Sequence, residues 1–453
     1  MKRFINIAII LSIMWLSTGC NLITNNSEQE LSESVINSTQ VISETILETE
    51  TNSTSVEDTE EIIRDVEGEQ FPIIYDIVDK KNEAATTFLK DEHDKNGKVY
   101  SYSYYYYSEI EPKYKEDYLY LYNNFYDMNT EIELSGTLSY DEFMNLLKQV
   151  IIDNPDFYFV GKDWNVSIDT DTDKVVKFDT NYIYDEITIE QNNKALQEIV
   201  NRIKGYLGTD ISDYDTYLFL HDYIVQNVIY NELEVSEHDS DVIGCLINKS
   251  CTCAGFAQGY KYLCRELGYS TALCAGTMSQ SHLWNVVPYA EDWMYIDVGM
   301  DNIDSEIKND WAKHNNFGIS DEHLRGEGGH IVFDSFEDIG YVVHPDCNNN
   351  NLAFKIMQGN AYKIDDLETA KQKIMEVSIN NLNKGIYFNE FMCDDIEIYE
   401  SLREGLLNQY KIDLYNMLRE INSSSDSYDI NIERVGLSFE YWDKTVLIYF
   451  FKE

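Results

Sequence analysis

Five of the chain's eight cysteines fall between Cys245 and Cys274, and the residues among them admit few local structures. Phe256, Tyr260, Leu263 and Leu267 recur at i, i+4, i+7 and i+11, the spacing of one buried helical face. Gly268 follows as a C-terminal stop. Counting back places the helix start at about Cys253. Ala254, Gly255, Ala257 and Gly259 keep its first turns thin, so another backbone or a substrate can approach. Cys264, three turns on and on the apolar side, reads as packing. Cys253 falls at the N-terminus, where unpaired N–H groups and the positive end of the dipole favour a thiolate. Cys251 precedes the helix and lacks that placement. The spacing C-x5-C-x-C-x10-C-x9-C contains no C-x2-C pair, so zinc is a poor fit and neither metal nor cofactor is expected.

A nucleophilic thiol needs a base. The stretch "SHLWNVVPYAEDWMYIDVGMDN" reads as an antiparallel hairpin turning at "PYAE". If Val287 pairs with Asp292, counting outward sets His282 opposite Asp297, with Cβ atoms roughly 4.5–5.5 Å apart. A carboxylate there holds one imidazole nitrogen and leaves the other for the thiol. Asp301 is a lesser rival for that role. Trp284 shares a strand face with His282 and serves either as a wall of the site or as core. Upstream, Ser212 and Asp215 open a helix that turns Leu218, Ile224, Val225 and Val228 inward. His221 and Asp222 adjoin on it about 100° apart, so they are expected not to face each other and to be structural.

Together, "YLFLHDYIVQNVIY", "CAGFAQGYKYLCRELGY", "SHLWNVV" and "WMYIDVGMDN" strongly resemble the transglutaminase-like superfamily, which is circularly related to papain, over residues 212–325. The resemblance implies an α+β fold: a papain-like transglutaminase core, with the Cys helix packed on an antiparallel sheet, flanked by two smaller α+β domains. It matches the family's nucleophile to Cys253, its histidine to His282 and its aspartate to Asp297. The chemistry implied is acyl transfer through a thioester. Cys253 attacks, His282 protonates the leaving amine, Asp297 orients the ring, and the Cys253 N–H is one oxyanion donor. Gln226, Asn227 and Tyr230 are the candidates for the second donor. Ala254 stands where the family often has a bulkier residue. Three functions follow: a peptidase or amidase with water as acceptor, which is preferred; a cross-linking transferase with a lysine amine as acceptor; and a non-catalytic binding module on the same fold.

The flanks read as two further units. Residues 69–204 form an α+β domain in which Ser139 and Glu142 make a capping box for a helix ending at Asn154-Pro155, with strands on either side of "DTDTDK". Asp169, Asp171 and Asp173 have the spacing of a calcium loop, but Lys174 stands where such a loop needs glycine, so a hairpin turn is expected. Tyr100, Tyr102, Tyr104 and Tyr106 are expected on one face of a strand, through the strand preference of tyrosine rather than as a sugar platform. Residues 205–330 hold the catalytic domain. Residues 331–453 form an accessory α+β domain with helices at 366–383 and 398–420 followed by a hairpin.

At the N-terminus, Lys2 and Arg3 precede an apolar run from Phe4 to Leu16, shorter than the roughly 20 residues of a spanning helix. "LSTGC" then resembles a bacterial lipobox, departing from it at Ser17, and implies lipidation at Cys20. Residues 21–68, rich in Ser, Thr, Asn and Glu, read as a disordered acidic tether. A net charge of −47 excludes nucleic acid as a partner by repulsion. The expectation is an exported chain, lipid-anchored to the outer face of the bacterial cytoplasmic membrane. Its partners would be protein or peptide substrates at the cell surface, with the cell wall within reach.

Overall fold

The computed structural model describes residues 4–9 and most of 69–452, leaving out 84–91, 94–98, 101–104, 304–311, 326–330, 333–343, 409–415, 417–429 and some shorter stretches. Cys20 and the expected tether lie outside the described residues. Among those described, no helix is long and apolar enough to cross a membrane.

In the first unit, strands β1 (Phe4–Ile9), β2 (Glu131–Glu133), β3 (Trp164–Asp169) and β4 (Lys174–Asp179) form a sheet in the order β1-β3-β4-β2. Part of the apolar N-terminal run is thus an edge strand, antiparallel to β3. Around the sheet lie α1 (Tyr105–Glu109), α2 (Lys115–Tyr126), α3 (Tyr140–Asp153) and α4 (Glu186–Leu207). The Ser139–Glu142 capping box starts α3, whose apolar periodicity buries Phe143, Leu146, Leu147 and Val150. The "DTDTDK" turn joins β3 to β4, with the Asp171 N–H donating to Asp169 Oδ1 at 2.9 Å.

The tyrosine run departs from expectation. Tyr106 lies in helix α1, Tyr100 in a two-residue strand, and Tyr102 and Tyr104 outside the described residues. The cause is remote in sequence: the Asp153 carboxylate accepts from the N–H groups of Tyr106 and Tyr107 at 3.2 and 2.7 Å, capping the first turn of α1. No local pattern announces that partner.

The central unit contains α5 (Asp213–Asn227), α6 (Cys253–Glu266), β5 (Ala272–Thr277), β6 (Ser281–Tyr289), β7 (Asp292–Ile296), α7 (Val298–Ile303), β8 (Phe317–Ile319) and β9 (Ile331–Val332). Its strands form an antiparallel sheet in the order β8-β7-β6-β5-β9. Helix α6 is buried from Ala254 to Arg265. Ala254 and Ala257 pack with Leu283, Trp284 and Val286 of β6, while Phe256, Tyr260 and Leu263 pack with α5 residues such as Leu220 and Ile224. Apolar partners on two sides explain why so many residues of α6 are small.

The third unit has β10 (Tyr362–Ile364), α8 (Leu367–Leu382), β11 (Phe388–Cys393), α9 (Ile396–Leu407), β12 (Ile430–Glu440) and β13 (Thr445–Lys452), with sheet order β10-β11-β13-β12. Strands β10 and β11 are parallel, joined through α8. The described units are therefore α+β. Its apolar core does not pause at the expected 204/205 boundary: Val200, Ile203 and Leu207 of α4 share one cluster with Tyr217, Leu246 and Leu263. Leu352 and Phe354 belong to that cluster too, so the chain stays with the central unit beyond residue 330. The third unit's buried residues form a cluster of their own, from Ile364 to Phe450.

Candidate active site

Thr252 is the N-cap of α6, but its hydroxyl and N–H both donate to the Asp239 carbonyl, at 3.1 and 2.7 Å. Thr252 therefore makes no side-chain cap, and the Cys253 thiol sits at the N–H end of the helix and the positive end of the dipole. The thin turns behind it are used by the protein itself. A Cβ on Gly255 would lie 2.4 Å from the Cys251 Cβ, and one on Gly259 would lie 2.3 Å from the Cys245 Sγ. The glycines admit the Cys245 and Cys251 side chains and, at Gly255, the Asp239 carbonyl rather than a substrate.

Among the described free cysteines, Cys253 alone is half-exposed; Cys245, Cys251, Cys264, Cys274, Cys347 and Cys393 are buried. Burial pushes the Cys264 thiol up to about 12 and the Cys274 thiol well above its ordinary value. Cys251 is raised by burial and by its hydrogen bond to Cys245. Cys251, Cys264 and Cys274 are packing thiols, unionised at neutral pH.

His282 Nε2 lies 2.6 Å from Asp297 Oδ2, and the ring is also hydrogen-bonded to Cys253. With Nε2 taken by the carboxylate, Nδ1 is the nitrogen left for the thiol. Burial pulls the imidazole pKa down, but the Asp297 charge and hydrogen bond, with the Cys253 contact, outweigh it and lift His282 to about 10. The other Asp297 oxygen accepts from the Met300 N–H at 3.1 Å, and the Asp297 N–H donates to the Asn316 carbonyl at 2.9 Å. Trp284 is buried and stacks on His282, with centroids 5.6 Å apart.

The pairing behind this meeting differs from the one expected. Strands β6 and β7 pair Val287 with Met294 and Tyr289 with Asp292, around a two-residue turn, Ala290-Glu291, in place of the four-residue loop assumed. Pro288 is inside the strand, opposite Trp293. The register is shifted by two, so His282 has no partner on β7 and pairs with Gly276 of β5. A shift of two preserves the face of every side chain. Asp297, just past the end of β7, therefore still turns toward His282.

Asp301 faces away from that pair. Its carboxylate bonds His221 Nε2 at 3.0 Å and accepts from the Asn316 side chain at 2.9 Å. His221 and Asp222, expected not to meet, are in contact at 2.8 Å through His221 Nδ1, and His314 Nε2 reaches the same Asp222 oxygen at 2.6 Å. Sequence reasoning missed His314 and Asn316, which carry no periodic or motif signal. Of the candidate oxyanion donors, Asn227 is already engaged: its amide N donates to the carbonyls of Gln70 and Tyr223, each at 2.7 Å. The Tyr230 ring lies near the Cys253 backbone. A single point, the position of a Cβ on Gly299, is 3.6 Å from the ring, 3.7 Å from the Cys253 Cα and 3.6 Å from Asp297 Oδ1.

No family model and no curated protein matches the chain. Among solved structures it is similar to a candidate cysteine protease from Cytophaga hutchinsonii, at 15% identity over 28% of this chain and 51% of that one, with a TM-score of 0.21. It is also similar to a TGase, at 12% identity over 37% of this chain and 50% of that one, again with a TM-score of 0.21. The chain spans about half the length of each. Likeness at this level carries no weight for function.

Proposed function

We propose that this chain is a cysteine-dependent acyl-transfer enzyme of the transglutaminase-like kind, hydrolysing peptide or amide bonds through a thioester on Cys253. The observation that carries this reading is the run of contacts Cys253–His282–Asp297 at the start of α6. The Cys253 sulfur attacks the carbonyl carbon, and the developing oxyanion takes a hydrogen bond from the Cys253 N–H. The carbon–nitrogen bond then breaks, with His282 passing a proton to the departing amine. Water adds to the thioester, its proton goes to His282, and the carboxylic acid leaves as the thiol is restored. Asp297 holds the ring in the tautomer and orientation that serve both halves. Cys253 is only partly buried, unlike the other described cysteines, which supports water as the acceptor.

The same proposal places the chain outside the cell, anchored by a lipid on Cys20, with surface proteins or peptides as substrates; cleavage before Cys20 would remove Phe4–Ile9, so the β1–β3 pairing would belong to the uncleaved chain alone. The basic start, the apolar run and "LSTGC" support it. Detergent partitioning of the parent should put it in the membrane phase, and Cys20→Ala should release it. A variant that partitions like the parent refutes the anchor.

Activity is tested by incubating the full chain with peptide libraries, with and without a fluorescent primary amine, and reading the products by mass spectrometry. Cleaved or deamidated products, lost in Cys253→Ala, are expected. Amine incorporation that outruns hydrolysis would replace water with an amine as acceptor. Identical products from parent and Cys253→Ala would end the enzymatic reading.

A further inference from the structure

A buried run of hydrogen bonds extends behind Asp297, away from the thiol. His314 Nε2 meets Asp222 Oδ1 at 2.6 Å, and His221 Nδ1 meets the same oxygen at 2.8 Å. His221 Nε2 meets Asp301 Oδ2 at 3.0 Å. The Asp301 carboxylate accepts from the Asn316 backbone N–H at 3.0 Å and from the Asn316 side chain at 2.9 Å. The Asn316 carbonyl accepts from the Asp297 N–H at 2.9 Å, and the Asp301 N–H donates to the Asp297 carbonyl at 3.2 Å. His221, Asp222, Asp301 and His314 are all buried.

Counting protons fixes the state of His221. Burial raises the Asp301 carboxyl, but it takes two N–H donors from Asn316, and Asp222 Oδ1 meets a second imidazole, so both act as acceptors. Facing them with both ring nitrogens, His221 donates from both and is an imidazolium. A neutral ring would set a lone pair against a carboxylate where no water competes. Asp222 lies on α5 and Asp301 on α7, so this cation ties the two helices together. The ligand-type atoms of His221, Asp222 and His314 also fall within 4.8 Å of one another, as around a metal ion. Separations of 2.6 and 2.8 Å are nevertheless shorter than the roughly 3.3 Å between ligands on a tetrahedron with ~2.0–2.1 Å bonds. They suit a shared proton.

We propose that His221 is a positioning residue: its bridging cation fixes the Asp301 end of α7 and, through Asn316, the backbone of Asp297, keeping that carboxylate on His282. The inference rests on the reading of Cys253, His282 and Asp297 given above. Asp222, Asp301 and His314 are the ionisable groups against His221, with the Phe317 ring on a further side. Those against His282 are Asp297 and Cys253. Burial alone would discharge His221, but the two carboxylates outweigh it and lift it to about 9.

The test uses the full chain with labelled histidine. The pH titration of the His282 ring is followed by NMR and assigned with His282→Gln, and iodoacetamide alkylation of Cys253 at pH 7 is timed by mass spectrometry. In the parent, the His282 midpoint should lie well above that of an ordinary histidine. In His221→Gln it should fall by about one unit, with alkylation slowed about tenfold, while a cooperative melt is retained. Asn316→Ala, at a half-buried site, should move both readouts the same way by less, and it serves where His221→Gln folds poorly. Variants that melt earlier but keep the parent's midpoint and alkylation rate would make His221 merely structural and overturn the proposal. Failure of the underlying reading looks different: Cys253 of the parent would then react like an ordinary thiol, with a rate indifferent to His282→Ala, and this inference would fall with it.

Discussion

Removing the proposed nucleophile and removing its base are not independent experiments, because the two groups act on one bond. Cys253→Ala should abolish turnover with the fold intact, and His282→Ala should lower it by about 10²–10⁴-fold. Asp297→Asn should cost less, since it disturbs the ring's orientation and charge rather than the sulfur. The Cys253/His282 double variant should be little worse than Cys253→Ala. Steady-state rates on one cleaved peptide decide this, and a crippling Asp301→Asn beside a silent Asp297→Asn would move the acid to Asp301. His221 makes a separate prediction for stability. Its folded pKa, about 9, lies above the unfolded value near 6.5. The stabilisation it brings is therefore complete below about pH 6.5 and is lost as pH rises through 9, an effect on the order of 3 kcal/mol. Denaturant midpoints measured from pH 6 to 10 should fall in the parent and stay flatter in His221→Gln. At this scale the sequence was legible where chemistry is local. Cys253 could be placed from the periodicity behind it, and Asp297 survived a wrong register because an even shift keeps faces. His314 and Asn316 could not be placed, since what defines them is a partner in another element: Asp222, 92 residues from His314, and Asp301, 15 residues from Asn316.

The elements show which patterns carry enough information by themselves. Helices α3 and α6 start where capping and periodicity put them, because the signals lie within a few residues of each boundary. The hairpin was read two residues out because Pro288, taken as part of the loop, is a strand residue. Tyr106 was read as strand because the cap that makes its segment helical comes from Asp153. The small residues of α6 were read as a face for another backbone or a substrate; at Gly255 a backbone carbonyl does approach, beside the Cys251 side chain, and at Gly259 the occupant is the Cys245 side chain, which yields a graded prediction. A methyl on Gly259 meets mainly the Cys245 side chain, at 2.3 Å, whereas one on Gly255 also meets the backbone carbonyl of Asp239, at 2.7 Å. Both Gly→Ala variants should lose about 1–3 kcal/mol by overpacking. Cys245→Ala should recover part of the loss in the Gly259→Ala background. Cys251→Ala should recover less in the Gly255→Ala background, because the carbonyl stays. Thermal melts of the four variants give the ranking, and equal recovery would mean that the Asp239 loop yields.

Across the whole molecule, the division into separate domains was the weakest part of the sequence reading. Composition and turn residues mark where elements end, but not whether the cores on either side merge. Here those of the first and central units do merge, and one buried polar cluster bolts them together. The Asp153 carboxylate accepts from Tyr106 N, Tyr107 N, Tyr118 Oη and Lys261 Nζ at 3.2, 2.7, 3.1 and 3.3 Å. Lys261 belongs to α6, the helix that carries Cys253, and it also donates to the Thr271 carbonyl. The two ends of this ion pair are not equivalent. Deleting the lysine leaves a carboxylate with three donors still in place, whereas deleting the carboxylate strands a fully buried ammonium and uncaps α1 as well. Asp153→Ala should therefore cost about 3–5 kcal/mol, and Lys261→Met clearly less. The double variant should lie between them, because removing the stranded charge does not restore the cap. At about 2–4 °C per kcal/mol for a unit of this size, Asp153→Ala should lower its melting temperature by about 10 °C. Calorimetry of the full chain should show the first and central units melting together and the third, with its own core, melting apart. Asp153→Ala should move only the first of these transitions, and with it the temperature at which Cys253 loses its reactivity toward iodoacetamide. Equal movement of both transitions would mean that the third unit is coupled to the rest, and a first transition split in two would mean that the shared core does not make the units one.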